Sequence, residues 1–386
     1  MASLRRAYNI ADLRALARCR LPRGLFEFVD RGTEDEVALR NNRAAFERIK
    51  LIPRGLVDVS RRSSATTLFG KSQALPLVIA PTGIAGLLSF RGEVALARAA
   101  AAAQIPFVLS TAAVTGMEKV AQAGGQLWFQ LYMWPDHEAS YRLITRARGA
   151  GYETLVITID TVAAPNREYN ARNGFALPIR FGGRNVFDAL THPGWLTRVF
   201  IRHLVEEGPM RFENYPEHLQ AALIARRGIS VASPKSETMD WNDLARLRGR
   251  WTGRLVVKGV LDVDDARAAV ACGADGIVVS NHGGRNFDSV PASIDVLPEI
   301  VAAVGDQTTV LIDSGFLRGS DVVKAIALGA KAVLIGRAPL YGLAAGGEAG
   351  AAHALALLRD EIDRTMVSMG CCSIAEVGPD RVRVQP

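Results

Sequence analysis

Gly276-Ile277-Val278-Val279-Ser280-Asn281-His282-Gly283-Gly284-Arg285 decides how the rest of the chain is read. Its first residues are apolar at every position and rich in β-branched side chains, which fits a short strand buried on both faces rather than one with a wet side. The run then breaks into two glycines flanked by an imidazole and a guanidinium. Glycines there let the backbone turn sharply and let a flat ligand come close. Seven further runs of the same character lie at 75–80, 106–110, 127–132, 154–160, 254–259, 309–313 and 332–336, which with 276–280 makes eight. Segments between them carry helical periodicity, for example 92–103, 136–150, 262–271 and 320–328. Buried strands alternating with helices predict an α/β protein with a parallel sheet covered on its outer face, and eight such units predict a (β/α)8 TIM barrel. A doubly wound open sheet is the alternative, but no Gly-x-Gly-x-x-Gly follows the first run.

Residues 1–74 precede the barrel; Leu21-Pro22 and a helical pattern over 26–43 predict an N-terminal helical segment that covers one end of it. The barrel core is assigned to 75–160 and 254–370, with the eighth helix at 339–369 and a tail at 371–386. Between the fourth and fifth runs, 161–253 hold a long insertion and the fourth helix. Within it Trp195, Leu196, Val199, Phe200, His203 and Leu204 recur at helical spacing, opposite Thr197, Arg198, Arg202 and Glu206. The apolar stripe of such a helix either packs on its own domain or faces a membrane or another protomer.

A chain of 386 residues with 49% hydrophobic content can bury a large core. The net charge of +7 is spread among interspersed carboxylates, without a polybasic tail, which argues against a nucleic-acid partner and leaves anionic small molecules or anionic lipid open. Cys19, Cys272, Cys371 and Cys372 form neither a Cys-x-x-Cys pair nor a metal-ligand spacing, so reduced thiols and no metal are expected. Arg5, Arg6, Asp12, Arg14 and Arg18 interrupt the N-terminus, and no stretch approaches the roughly 20 apolar residues of a membrane span. A cytoplasmic protein is expected, at most peripheral on the inner face of the membrane.

Barrel enzymes build their sites at the carboxyl ends of the strands. In order, those ends carry Thr82 and Gly83, Ser110, Gln130 and Tyr132, Thr158 and Asp160, Lys258, His282 and Arg285, Asp313 and Gly315, and Gly336 and Arg337. Charged groups such as Lys258 and Asp160 at the mouth of a core would cost several kcal/mol without partners, so they are expected to surround a polar ligand. Gly315, Gly336 and Arg337 match the phosphate site that barrels form after strands seven and eight. Ser110, Gln130 and Thr158 suit the edge of a heterocycle, Lys258 the negative charge that develops on one, and Asp160 could orient the His282 imidazole and raise its basicity. A phosphate beside a redox-active heterocycle suggests flavin mononucleotide (FMN). A phosphate-binding barrel without redox chemistry is the alternative from another class.

Residues 280–285, together with Ala80-Pro81-Thr82-Gly83, Trp128-Phe129-Gln130-Leu131-Tyr132, Val257-Lys258-Gly259 and Ile335-Gly336-Arg337, resemble the FMN-dependent 2-hydroxy acid oxidase and dehydrogenase family over almost the whole chain. The likeness is greatest to its (S)-mandelate dehydrogenase branch, in His192-Pro193-Gly194-Trp195 and Leu340-Tyr341-Gly342 among others. The resemblance implies oxidation of an (S)-2-hydroxy acid to the 2-oxo acid, with FMN as cofactor, a quinone or oxygen as electron acceptor, and a homo-oligomer, often a tetramer. It implies His282 as base with Asp160 behind it, Arg167 and Arg285 on the substrate carboxylate, and Tyr132 on the substrate. Lys258 would lie beside the flavin with Pro81, Thr82, Gly83, Ser110, Gln130, Thr158 and Ser280. Asp313, Gly315, Arg318, Gly336 and Arg337 would hold the phosphate end. Four features depart from the family pattern. Phe26 stands where a tyrosine would meet the carboxylate, Leu317 where an arginine would near the phosphate, Asn286 where glutamine is usual, and Val162 and Asn166 differ in the loop after strand four. Small residues at Gly83 and Ala112 leave room for a bulky or aromatic 2-substituent, mandelate-like; L-lactate or a modified hydroxy acid is the alternative substrate.

Overall fold

The computed structural model describes residues 4–175, 182–216, 220, 223 and 238–385; the rest of the expected insertion lies outside the described residues. Eight parallel strands close on themselves: β1 (Leu77–Ile79), β2 (Phe107–Ser110), β3 (Leu127–Leu131), β4 (Thr154–Thr158), β5 (Arg254–Val260), β6 (Gly276–Val279), β7 (Thr309–Ile312) and β8 (Ala332–Ile335). Each pairs with its successor, and β8 returns to β1 through Val333 opposite Leu77 and Ile335 opposite Ile79. Every strand falls on one of the eight apolar runs, and the fold is a (β/α)8 barrel. Helices at Gly92–Ala102, His137–Gly149, Val263–Ala271 and Gly319–Ala327 occupy the periodic segments. Two of them start where an aspartate can satisfy free backbone donors: Asp136 accepts from the Ala139 N–H, and Asp262 from those of Asp264 and Asp265.

The strands are apolar on both sides because both sides are covered. Val78, Val108, Trp128, Val156, Val256, Val278, Leu311 and Leu334 fill the barrel interior, while Ile79, Leu109, Phe129, Leu155, Ile157, Val257, Ile277 and Ile312 pack under the helices. A hairpin of Thr66–Leu68 and Lys71–Gln73 covers the amino-terminal end of the barrel. Phe69 (φ 49°) and Gly70 (φ 80°) make its turn, the two positive φ values that a tight hairpin needs. The Phe69 ring packs on Trp128 with centroids 5.7 Å apart. A Cβ at Gly276 would come within 2.9 Å of that ring, so the first residue of the decisive stretch is small for a packing reason.

The prelude departs from expectation. In place of one helical run over 26–43, the chain forms α1 (Ile10–Arg20), α2 (Arg23–Asp30) and α3 (Val37–Arg48), with Glu34 and Glu36 left-handed between the last two. Tertiary hydrogen bonds outcompete helix continuation there. Thr33 N–H donates to Gly284 O (3.0 Å), Glu34 N–H to Asn166 O (3.1 Å) and the Thr33 hydroxyl to the same Asn166 O (2.9 Å). The break thereby docks on the loops after β4 and β6, over the mouth of the barrel. The tail is also more ordered than a tail: Val382–Val384 pairs antiparallel with Ile49–Leu51.

The insertion departs too. The segment Leu196–Ile201 is a π-helical stretch followed by an α-helical turn at Arg202–Glu206. Val199 and His203 are buried, and Trp195 donates its indole N–H to Leu87 O (2.7 Å). Leu204, read as part of the same stripe as Val199 and His203, is exposed with Ile201 and Val205. Among the described residues no helix is long and apolar enough to cross a membrane.

Candidate active site

Side chains alternate along a strand, so the residue two positions beyond an inward apolar one faces inward as well. That rule builds the site. Val108 is followed by Ser110, Trp128 by Gln130, Val156 by Thr158, Val256 by Lys258, Val278 by Ser280 and Leu311 by Asp313; all six polar residues are buried. Gln130 Oε1 accepts from the Ser110 hydroxyl (3.1 Å) and its Nε2 donates to Thr158 Oγ1 (3.1 Å). Lys258 Nζ donates to Ser280 Oγ at 2.8 Å and pairs with Asp313 at 3.0 Å. Burial alone would push its pKa down, but the Asp313 and Asp160 carboxylates outweigh that and raise it, so the ammonium stays charged. A bulge between Lys258 and Val260, at left-handed Gly259 (φ 107°), admits Asp160; a Cβ at 259 would lie 2.6 Å from the Asp160 Cβ.

His282 Nδ1 lies 2.9 Å from Asp160 Oδ1. Burial lowers the imidazole pKa, partly countered by Asp160, and so favours the neutral ring. Burial by itself would raise the Asp160 carboxyl, yet the attraction of His282 and Lys258 leaves it below its usual value. The pair therefore comprises a carboxylate holding Nδ1 and an imidazole with Nε2 left for a proton. The turn that presents it is unusual: His282, Gly283 and Gly284 all have positive φ (57°, 69° and 68°). A Cβ at Gly284 would come within 2.6 Å of the Leu39 backbone N, so a side chain there meets both strain and α3.

Arg285 and Arg167 lie close together. Arg285 Nη1 donates to Arg31 O (3.1 Å) and Val29 O (3.4 Å), the terminal carbonyls of α2, where the helix dipole favours a cation. Among the described residues Arg167 makes one side-chain hydrogen bond, to Arg285 O at 3.5 Å, and its buried Nε has no hydrogen-bond partner. Burial lowers the pKa of both guanidiniums, and Arg167 adds to the effect on Arg285. Neither forms an ion pair with a carboxylate among the described residues. Two buried cations without an anion make a site for one.

These groups border a cavity of about 1390 Å³, whose wall includes Phe26, Pro81, Thr82, Gly83, Ser110, Tyr132, Arg167, Lys258, His282, Arg285, Asp313, Gly315, Gly336 and Arg337. That exceeds the roughly 300–1,000 Å³ of an ordinary ligand site and leaves space for a cofactor and a substrate together. At Gly83 a Cβ would press on Ala112 (3.2 Å), whereas none of the atoms near Gly336 comes closer than 3.8 Å to that position, leaving its backbone open. The donor set fits FMN: neutral hydrogen-bonding groups and a buried ammonium for the ring, with glycine backbones at 315 and 336 for the phosphate.

Not every expected residue reaches the wall. Gln130, Thr158, Asp160 and Ser280 stand behind it, bonded to residues that line it or to one another. Arg318 lies off the cavity wall, at the N-cap of the helix Gly319–Ala327, and pairs with Glu361 at 2.6 Å. Arg337 borders the cavity with its guanidinium donating to Gly283 O (2.9 Å), Val29 O (3.1 Å) and Arg31 O (3.2 Å). Leu317 borders it beside Arg43, whose Nη1 reaches Gly315 O and Asp321, each at 2.5 Å.

Other contributors went unread in the sequence. Asn281 and Asn42 form a buried reciprocal amide pair (2.9 and 2.8 Å), and Asn281 Oδ1 also accepts from Gly284 N–H (3.1 Å). Ser314 Oγ donates to Asp313 (2.8 Å) and accepts from Gly283 N–H (3.0 Å). Asn286, which stands where glutamine is usual, donates to Asp160 O (2.9 Å). A buried amide inside the decisive stretch demanded a partner, but the partner lies 239 residues away.

The chain matches the family model described as FMN-dependent dehydrogenase over residues 17–384. It is 43% identical to the (S)-mandelate dehydrogenase of Pseudomonas putida, covering 97% of this chain and 93% of that protein. It is 40% identical to an L-lactate oxidase of a Nostoc species, covering 98% of both. A crystal structure of the monotopic membrane protein (S)-mandelate dehydrogenase superposes with a TM-score of 0.90 at 41% identity, covering 98% of this chain and 100% of that one. With a family model matched over residues 17–384 and relatives 40–43% identical over nearly the whole chain, this chain belongs to the FMN-dependent dehydrogenase family.

Proposed function

We propose that the enzyme oxidises an (S)-2-hydroxy acid with a bulky or aromatic 2-substituent to the 2-oxo acid. The observation that carries this is a single cavity bordered by a carboxylate-backed imidazole and by two guanidiniums that have no carboxylate partner among the described residues. Arg167 and Arg285 bind the substrate carboxylate, and Tyr132 hydrogen-bonds the substrate. His282 accepts a proton at Nε2, from the hydroxyl in a hydride route or from the α-carbon in a carbanion route. Asp160 stabilises the imidazolium so formed. FMN, when bound, takes up the two electrons that leave the α-carbon. Lys258 favours negative charge on the ring beside it, and Gly315, Gly336 and Arg337 border the phosphate end.

The 2-substituent has space over Gly83 and Ala112. Phe212 and Tyr215, stacked at 4.4 Å on the same cavity and backed by Trp134, offer it an aromatic wall. The likeness to a mandelate dehydrogenase agrees with this; the likeness to an L-lactate oxidase favours a second reading with a small 2-substituent. Anaerobic reduction of the flavin by (S)-mandelate, L-lactate and glycolate separates the two. Mandelate bleaching the flavin fastest supports the first, and lactate or glycolate doing so overturns it.

Electrons pass to a quinone or to oxygen. Val186, Phe187, Leu190, Ile201, Leu204 and Val205 are all exposed on the insertion, and we assign them to contact with the membrane face, where a quinone acceptor would be found. A homotetramer is the assembly proposed.

A further inference from the structure

We infer that Phe28 is a positioning residue for the carboxylate clamp, its ring face holding the Arg167 and Arg285 guanidiniums together before any substrate arrives. The inference rests on the reading of those arginines as the carboxylate site. The guanidinium carbons lie 5.4 Å (Arg167) and 5.2 Å (Arg285) from the centroid of this one ring, and Phe28 borders the cavity.

Two like charges held this close in a buried site repel one another, and the hydrogen bonds present do not account for both. Arg285 has the α2 carbonyls. Among the described residues Arg167 has one long hydrogen bond and a buried Nε without a hydrogen-bond partner. An aromatic face carries partial negative charge and attracts a guanidinium within about 6 Å of its centroid, so a single ring can serve both cations where an aliphatic side chain could serve neither. Because α2 supplies both the ring at 28 and the carbonyls at 29 and 31, it sets the spacing of the clamp by side chain and backbone together. The ring is itself braced: Phe175 packs against it with centroids 5.5 Å apart, in space that Gly24 leaves open, since a Cβ there would come within 2.7 Å of Phe175.

The test uses FMN-loaded full-length enzyme with F28L, F28M and F28Y. Three quantities are measured: KM and kcat for the 2-hydroxy acid that the parent oxidises fastest, the Kd of phenylacetate as an unreactive carboxylate read by perturbation of the flavin spectrum, and FMN content with thermal midpoint. F28L and F28M are expected to raise KM and the phenylacetate Kd about tenfold while kcat changes less than about twofold and FMN is retained. F28Y, which keeps the ring face, is expected to bind like the parent. Unchanged KM and Kd in F28L and F28M overturn the proposal, as does F28Y weakening carboxylate binding as much as they do, because volume rather than the ring would then be what matters. A parent that binds no carboxylate at all defeats the functional reading itself; a parent that binds phenylacetate as tightly as F28L does defeats only the role of Phe28.

Discussion

His282 works as a base only while its imidazole is neutral. Burial holds its pKa below the usual 6.5, and the Asp160 carboxylate pulls partly the other way. The acid limb of kcat/KM is therefore expected below pH 6.5, with activity retained above it; a limb above that value would contradict the buried, neutral imidazole. D160N removes the attraction that raises the pKa, so the limb should move further down while kcat falls by about 10²-fold or more for want of a partner to the imidazolium. Stopped-flow reduction of the flavin across pH measures both. Phe26 is the other decisive residue. It is buried on the wall of the cavity that Arg167 and Arg285 also border, without a hydroxyl, and F26Y adds a donor to that wall. A hydrogen bond to a charged group is worth about 1.5–3 kcal/mol, so KM should fall about tenfold or more with little change in kcat. An unchanged KM would mean that the ring edge does not reach the carboxylate. The base, its carboxylate and Arg285 were legible as residue types at strand ends. Phe28 was not, because nothing in Phe26-Glu27-Phe28 marks which ring will face two guanidiniums from loops far along the chain.

At the scale of elements, strands and turns do different work. The strands are interchangeable apolar runs, whereas the turn after β6 is specific, with three left-handed residues in succession, two of which are glycines that a side chain would drive into Arg337 or α3. The hairpin over the far end of the barrel has a packing role, and F69A tests it. Removing a partly buried ring that rests on Trp128 should cost about 2 kcal/mol, read as a lower midpoint of urea unfolding. FMN affinity should hold, because the plug lies at the end of the barrel opposite the cavity. Loss of FMN in F69A would show that the two ends are coupled. Neither the hairpin nor the break between α2 and α3 was read from the sequence. Propensity favours one helix across 26–43, and the break is held by distant partners, the carbonyls at 166 and 284 and the Asp288 carboxylate that accepts from the Val37 and Ala38 N–H groups.

At the scale of the whole molecule, the insertion carries the proposed membrane contact. Trp195, Val199 and His203 attach it to the core, and the apolar groups on its other side stay uncovered, with Phe187 69% and Val205 78% exposed. Replacing Phe187, Leu190 and Val205 with serine should release the protein from vesicles of mixed zwitterionic and anionic lipid in a flotation assay, with flavin reduction by substrate unchanged. Retention on the vesicles would remove these residues from the membrane contact. Here the sequence pattern was half right. An amphipathic segment was visible, but Leu204 lies outside the face that Val199 and His203 bury, and the π-helical turn at Leu196–Ile201 is not something a 3.6-residue periodicity registers.

What the sequence by itself determined is the barrel and the types of residue at its mouth. A period of two along each strand places a polar residue inward directly after an inward apolar one, so local patterning specifies both core and rim. What only the tertiary structure decided is which of those groups meet. Asn42 with Asn281, Thr33 with Gly284, Arg337 with the end of α2, and Phe28 with two arginines are pairings across more than a hundred residues, set by closure of the barrel and by the prelude folding over it. Such contacts leave no mark in local composition, because either partner alone is an ordinary residue in an ordinary place.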